Sequence, residues 1–315
     1  MNVGEAIGLG AAALLQAGIR DRDEAAREAA ILLSYCLGVD TARLYTLAAD
    51  PGEEVVRRFN AALDRRRARE PLQYITGVQE FMSLEFRVDR RVLIPRPETE
   101  ILVETVLDFS RRGGTAGAAR AGDANGSGED SGDPDVPRVF RFADVGTGSG
   151  GIAVSVAKYA SEWARVEGYA TDVSAGALEV ARENAGKHGV DGLITFLEGN
   201  LLEPVARMGV SKVLDCVASN PPYIEPADFD SLQPEVRLFE PAVALRCGDP
   251  VALYRRIAIQ AAQLLRDGGM LAVEVGAGQA GDVAVAFAGT GLYGATRIAR
   301  DLAGIERVVY CHRTS

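Results

Sequence analysis

Histidine is almost absent from this chain: His188 and His312 are the two in 315 residues, too few for a histidine-built metal centre or a haem site. Cysteine is hardly commoner. Cys36, Cys216, Cys247 and Cys311 lie far apart without metal-ligand spacing, and two of them sit in apolar runs where a thiol is a small hydrophobe. A reducing, cytoplasmic setting is expected. Positive charge is in deficit, 34 Lys and Arg against 44 Asp and Glu, a net charge of -10. That argues against gripping duplex nucleic acid through a broad basic face, and no direct nucleic-acid partner is expected. No apolar run reaches the length of a membrane span, so no membrane partner is expected either. The apolar stretch from Ala6 to Ile19 follows Glu5 with no basic segment before it, and reads as a helix and not as a secretion signal.

What is present divides into three parts. Residues 1–72 read as a helical module, with Ala- and Leu-rich segments at Ala6–Ala17, Glu24–Leu37, Thr41–Ala49 and Glu53–Arg69. Asp23, Asp40 and Asp50 are the expected N-caps, Pro51 a first helical residue and Gly38 a C-terminal stop. Arg65, Arg66, Arg67 and Arg69 cluster where a helix dipole favours cations, and docking of a partner is the alternative reading. Residues 73–96 turn to a β pattern, Tyr74-Ile75, Glu80-Phe81 and Leu84 to Val88, broken by Gly77 and Ser83, which predicts a hairpin followed by a connector. The connector runs from Leu93 to Glu100 and is stiffened by Pro95 and Pro97; it is either a hinge or a wall of the active site, and in the second case Arg96 and Thr99 are candidate substrate-binding residues. Pro97 opens an amphipathic helix with Leu102, Val106 and Phe109 on its apolar side.

From 97 to 315 strands and helices alternate, which predicts a parallel sheet with helices on both faces. Within this part, 112–137 is rich in Gly, Ala, Ser and Asp with few large apolar residues, and is expected to be a disordered insertion. The strands are expected at Val139–Val145, Val166–Thr171, Ile194–Leu197, Val213–Ala218 and Met270–Val275, with terminal strands near Ala295–Arg300 and Arg307–Cys311. Helices are expected at Ile152–Tyr159, Ala175–His188, Val251–Leu265 and Gln279–Ala288.

Two loops at strand ends carry the chemistry. After the first strand, Gly146, Gly148 and Gly151 match the dinucleotide fingerprint, with a helix N-terminus behind them. Asp172, ending the second strand, is placed to accept hydrogen bonds from ribose hydroxyls. A nicotinamide enzyme and an S-adenosylmethionine enzyme would both use these parts. Asp144 either orients the loop or is a plain strand-end carboxylate. The discriminating stretch is Asn220-Pro221-Pro222-Tyr223. Two prolines leave the carbonyls of Asn220 and Pro221 outside any ladder, the Asn220 side-chain oxygen adds an acceptor, and Tyr223 offers a flat wall. That set suits a planar amino group that donates both hydrogens while its nitrogen faces an electrophilic methyl.

Leu93-Ile-Pro-Arg-Pro-Glu-Thr-Glu100, Asp144-Val-Gly-Thr-Gly-Ser-Gly150, Ser219-Asn-Pro-Pro-Tyr-Ile224, Val236-Arg-Leu-Phe-Glu-Pro241 and Asp301-Leu-Ala-Gly-Ile-Glu-Arg307 together resemble the HemK/PrmC family, the peptide-chain-release-factor glutamine methyltransferases. The resemblance covers the chain apart from 112–137. It implies a Rossmann-like class I S-adenosylmethionine-dependent methyltransferase domain, α/β in class, and a small N-terminal helical domain joined to it by a β-hairpin. It also implies methylation of the side-chain amide of the glutamine in the Gly-Gly-Gln motif of class I release factors, the expected partners. Carried onto this sequence, Gly146, Thr147, Gly148, Ser149 and Gly150 line the cofactor pocket, Asp172 holds the ribose, and Asn200 and Leu201 lie near the adenine. Asn220 faces both cofactor and glutamine, with Pro221 and Tyr223 as its catalytic companions and Pro222 completing the glutamine pocket. Asn200 departs from the acidic residue many relatives carry there, and Cys247-Gly-Asp-Pro250 departs from the family's usual turn. A ribosomal-protein glutamine methyltransferase and a nucleic-acid amino-group methyltransferase are the alternative readings.

Overall fold

The computed structural model describes residues 2–19, 21–46, 50–113 and 138–315. The expected insertion at 112–137 thus lies outside the described residues from 114 onward. The chain divides into two compact units: Met1–Val78 with Val88–Arg90 and Ser231–Glu240, and Gln79–Arg87 with Arg91–Asp230 and Pro241–Ser315.

The first unit holds α1 (Val3–Gln16), α2 (Arg22–Leu37), α3 (Thr41–Leu44), α4 (Glu53–Arg67), α5 (Leu72–Thr76) and, from later in the chain, α10 (Pro234–Phe239). Its ends are set by short polar side chains. Asn2 and Glu5 exchange hydrogen bonds as a capping box on α1, satisfying two donors that the first turn would otherwise leave open. Asp21, not Asp23, caps α2 by accepting from the Glu24 N–H at 2.8 Å. Asp40 caps α3 as expected, and Gly38 ends α2 in the left-handed region. Asp50 accepts instead from the Gly52 N–H, and Gly52 stands at the N-cap of α4. Tyr74 and Ile75, read as β, lie in α5 and are buried; so short an apolar run does not itself distinguish helix from strand. The third expected helix is cut to Thr41–Leu44, and 47–49 lie outside the described residues.

Small residues let α1, α2 and α4 close on a core that includes Ala6, Leu14, Ala29, Leu33, Phe59 and Leu63. The arginine cluster is turned into this unit. Arg66 is buried and pairs with Glu28 through two bonds, at 2.8 and 3.2 Å, and with Glu235 at 2.9 Å. Arg69 reaches Glu235 and the Gly18 carbonyl, both at 2.8 Å, and Arg65 forks onto Glu70. Two of the four arginines, Arg66 and Arg69, therefore tie α4 and the residue after it to α2, α10 and the residues after α1, while Arg65 fastens α4 to the turn that follows it. The Arg66 pairs with Glu28 and Glu235 are well shielded, so each of these bonds counts for about 1.5–3 kcal/mol. Glu235→Ala is expected to lower the unfolding free energy of this unit by about that amount, read from denaturant midpoints; an unchanged midpoint would show that α10 is not held through this carboxylate.

The second unit begins at Gln79, within the hairpin of β1 (Val78–Phe81) and β2 (Leu84–Arg87), whose two turn residues, Met82 and Ser83, both have positive φ. Neither is glycine, and the conformation is held by Glu100 accepting from the Met82 N–H at 2.7 Å and Tyr159 donating to the Met82 carbonyl. Then follow α6 (Glu100–Arg111), β3 (Val139–Val145), α7 (Gly151–Ala160), β4 (Arg165–Asp172), α8 (Ala175–His188), β5 (Ile194–Glu198), α9 (Glu203–Arg207), β6 (Leu214–Ser219), α11 (Pro250–Leu264), β7 (Leu265–Glu274), α12 (Ala280–Ala288), β8 (Arg297–Arg300) and β9 (Glu306–His312). The sheet order is β5-β4-β3-β6-β7-β9-β8. Strands β3 to β7 pair in parallel, whereas β9 is antiparallel to both β7 and β8. This corrects the all-parallel expectation, and the reason is the tether: only 301–305 separate β8 from β9, too few residues for a crossover.

Alternation along the strands feeds two cores. Phe140, Phe142, Cys216, Ala218, Met270 and Ala272 pack with α6 and α7 on one face, while Ala143, Val145, Val217, Leu271 and Val273 pack with α11 and α12 on the other. Helices thus cover both faces, and the open carboxyl ends of the parallel strands are left for function.

Candidate active site at four strand tips

The register of β4, β3, β6 and β7 aligns Thr171, Val145, Ser219 and Val273. The next residues along each strand are therefore Asp172, Gly146, Asn220 and Glu274, four neighbours in a row at spacings of about 4.8 Å. From β3 the chain winds outward through β4 to β5, then returns to start β6 on the other side, so β3 and β6 flank the point where strand order reverses. Ligands of open α/β sheets bind outside the carboxyl ends at such a point.

The glycine loop is fixed from both sides. The N–H groups of Gly146 and Thr147 donate to the Thr171 carbonyl at 2.8 and 2.9 Å, and that of Gly148 donates to Asp172 Oδ2 at 2.9 Å. Gly146, Gly148 and Gly150 have φ of 73, 54 and 84°, values that ordinary side chains adopt only under strain. A Cβ at Gly146 or Gly148 would meet nothing within 4 Å, so the loop borders open space that side chains would otherwise fill. The side chains of Thr147 and Ser149 are buried, so their reach toward a ligand runs through backbone. Behind the loop, Asp144 accepts from the Thr147 hydroxyl at 2.7 Å and the Ala153 N–H at 3.1 Å. Of the two readings of Asp144, the loop-orienting one matches this geometry.

Asp172 divides its oxygens between the Gly148 and Ser174 N–H groups, at 2.9 Å each. Burial raises its carboxyl above the ordinary range while the N–H groups of Ser174, Gly148 and Val173 pull it back. The lone pairs not taken by these N–H groups remain for hydroxyls. Asn200 and Leu201 follow β5, next to Asp172, whose carbonyl accepts from the Gly199 N–H at 2.9 Å. Asn200 is exposed and turned to Glu203, while Leu201 is half-buried with φ 50°. An adenosyl group fits this donor and acceptor set: open space over the glycines, a carboxylate with spare lone pairs, and a leucine beside it.

At the other end of the row, Asn220 Nδ2 donates to Thr99 Oγ1 at 3.1 Å. Among the described residues no hydrogen bond uses the Asn220 or Pro221 carbonyl, whereas that of Tyr223 accepts from Gln279 at 3.2 Å. The ring of Tyr223 lies so close to Gly276 that a Cβ there would come within 3.1 Å of it. Burial, reinforced by the Glu274 charge and opposed by Arg307 and Arg96, pushes the Tyr223 phenol up to about 12, so the ring is a neutral wall and not a proton carrier. Arg96 therefore stands within electrostatic reach of Tyr223. Thr99 is buried, and any role it has runs through Asn220.

Residues 5–77 match the PrmC N-terminal domain family and residues 135–245 the methyltransferase small domain family. A release factor glutamine methyltransferase of Moorella thermoacetica is 39% identical over 91% of this chain and 90% of its own length. That of Gloeobacter violaceus is 40% identical over 94% and 93%, and that of Cereibacter sphaeroides 38% over 98% of each chain. The chain belongs to the release factor glutamine methyltransferase family. The hMettl16 catalytic domain in complex with a 3'UTR hairpin, 15% identical with a TM-score of 0.51 over 82% of this chain and 81% of its own, shares the fold alone.

In this member of the release factor glutamine methyltransferases, three side chains that sequence reasoning passed over support the row. Asn184 is fully buried and bonds both Arg87 backbone groups and the Ser149 carbonyl, joining the hairpin to the glycine loop. Gln279 holds Tyr223 and the Gly276 N–H. Glu274 is 2% exposed at the end of β7. The available signal was a carboxylate inside an otherwise apolar run, Leu271-Ala-Val-Glu-Val275.

Burial pushes the Asp144 carboxyl up to about 7, against the Thr147 and Ala153 hydrogen bonds and with help from Asp172. An unfolded aspartate titrates near 3.9. Since the folded value is the higher one, the neutral carboxyl stabilises below about pH 4, and that contribution is lost as pH rises through about 7. The stability difference between wild type and Asp144→Asn is therefore expected to change between pH 5 and pH 8, with wild type losing ground. Parallel denaturation curves at the two pH values check this, and a pH-independent difference would refute it.

Proposed function

We propose that this chain transfers a methyl group from S-adenosylmethionine to the side-chain amide nitrogen of the glutamine in the Gly-Gly-Gln motif of class I release factors, in the cytoplasm. The observation that carries the reading is Asn220 at the strand-order reversal, its Nδ2 held by Thr99 while the carbonyls of Asn220 and Pro221 stay outside the hydrogen bonds among the described residues. Family membership supplies the substrate class.

S-Adenosylmethionine supplies a methyl group activated by a sulfonium. Asp172, Gly146 to Gly150, Asn200 and Leu201 would hold it. Asn220 Oδ1 and the carbonyls of Asn220 and Pro221 accept the two hydrogens of the glutamine amide, and Pro222 and Tyr223 wall its plane. A carboxamide nitrogen is a weak nucleophile because its lone pair is delocalised. Acceptors on both hydrogens favour the form in which nitrogen gains positive charge, and each is worth about 1–3 kcal/mol once water is excluded. The methylated nitrogen then carries an acidic proton that water can take, so no strong base is demanded. Arg96 would steer the substrate backbone beside Tyr223.

The test is incubation of the protein with isotope-labelled S-adenosylmethionine and a purified class I release factor, followed by mass spectrometry of the peptide containing Gly-Gly-Gln. One labelled methyl on that glutamine is expected. Label confined to a ribosomal protein, or to nucleic acid, would replace this reading with one of its two alternatives.

A further inference from the structure

Glu274 ends the strand next to that of Asn220 and is almost wholly buried. One of its carboxylate oxygens, Oε2, has no hydrogen-bond partner among the described residues. The other side of the group meets the Thr99 hydroxyl as a hydrogen-bond partner, and Thr99 in turn accepts from Asn220 Nδ2 at 3.1 Å. Three side chains from three parts of the sequence thus form one chain that ends at Asn220. We propose that Glu274 and Thr99 are positioning residues that decide which end of the Asn220 amide faces the substrate. The proposal rests on the reading of Asn220 as the residue that meets the glutamine.

A hydroxyl has one hydrogen to give and two lone pairs; an ionised carboxylate only accepts. With Glu274 ionised, the Thr99 hydrogen is committed to it, and Thr99 Oγ1 can then only accept from Asn220. The Asn220 amide is left one orientation, with its NH2 on Thr99 and its Oδ1 turned away as an acceptor. The two ends of an asparagine amide are nearly the same in shape, so packing alone does not separate them. A substrate amide needs the oxygen end, since the NH2 end would face its hydrogens with hydrogens. If Glu274 is protonated it can donate to Thr99, whose own hydrogen is then released, and the reversed Asn220 is no longer excluded.

The groups facing Glu274 set where this switch lies. Burial pushes its carboxyl up to about 7, the Thr99 hydrogen bond, Arg307 and Arg96 lower it, and Glu98 raises it. Tyr223 also faces it, neutral over the working range, and the Tyr254 hydroxyl donates to the Glu274 backbone carbonyl at 2.8 Å. The orientation of Asn220 is accordingly coupled to pH near neutrality.

The first experiment needs neither cofactor nor substrate. In protein labelled with nitrogen-15, the side-chain NH2 resonance of Asn220 is identified by its loss in Asn220→Asp. Its shift is expected to follow a titration near pH 7 that disappears in Glu274→Gln, and its exchange with solvent to speed at least tenfold in Thr99→Val but not in Thr99→Ser. The second uses the full reaction. The methylation rate constant at saturating substrates is expected to rise through about pH 7 in wild type and Thr99→Ser. In Glu274→Gln and Thr99→Val it is expected to be flat and about tenfold lower, with little change in the KM for the methyl donor. Near-wild-type exchange in Thr99→Val, or a titration that persists in Glu274→Gln, would overturn the proposal. If the resonance behaves as expected while wild type leaves release factor unmethylated, the substrate reading fails and the positioning of Asn220 stands.

Discussion

Asn220→Ala is expected to lower the methylation rate at saturating release factor by about 10²–10³, the cost found where one oriented polar partner of a transition state is removed. The side chain sits where β3 and β6 part, one residue beyond the Val145–Ser219 pairing. Ser219 strengthens that junction by donating to the Val145 carbonyl at 2.8 Å, so the backbone under Asn220 does not depend on its side chain. Alanine therefore removes an acceptor without loosening the strand. The backbone carbonyls of residues 220 and 221 remain in the variant and should keep a residue of activity above the uncatalysed level. Asn220→Asp is not a rescue: an aspartate cannot donate to Thr99, and it would set a second carboxylate beside Glu274. Single-turnover measurements separate this effect from binding, and turnover within a few-fold of wild type would remove Asn220 from the reacting centre.

Much of the scaffold behind that site was readable from pattern alone. Strand β3 and helix α8 lie at the expected bounds, Val139–Val145 and Ala175–His188. The strand tips followed from these, and with them the juxtaposition of Gly146, Asp172 and Asn220. Other features depend on partners distant in sequence. Nothing local tells that Arg66 is buried against Glu28 and Glu235 and not solvated at a helix end. Nor does a lone Asn184 announce that it will bridge the hairpin and the glycine loop. Glu274 gains meaning only once β7 is known to neighbour β6 and the connector brings Thr99 over both. The antiparallel β9 was legible in principle, since 301–305 is too short for a crossover; there the loop length carried more information than the apolar pattern.

Asp172→Ala is expected to weaken binding of S-adenosylhomocysteine, used as a non-reacting probe, by about 10²–10⁴, while the rate at saturating methyl donor falls less than tenfold. Two losses combine. A carboxylate offers about four acceptor positions; here the Gly148, Ser174 and Val173 N–H groups use part of that capacity, and the lone pairs left suit the paired hydroxyls of a ribose, at about 1.5–3 kcal/mol for each bond to a charged acceptor. Alanine also frees the Gly148 N–H, so the loop that borders the pocket loses one of its ties. Asn220 and Glu274 lie on β6 and β7, beyond β3 from Asp172, which is why the chemical step is largely spared. A probe lacking the ribose hydroxyls separates the two losses: it should bind wild type weakly and should lose little further affinity in the variant, only the part due to the loosened loop. Titration calorimetry with both probes measures this directly. Equal affinity of wild type and Asp172→Ala for S-adenosylhomocysteine would place the ribose elsewhere, and with it the direction from which the methyl approaches Asn220.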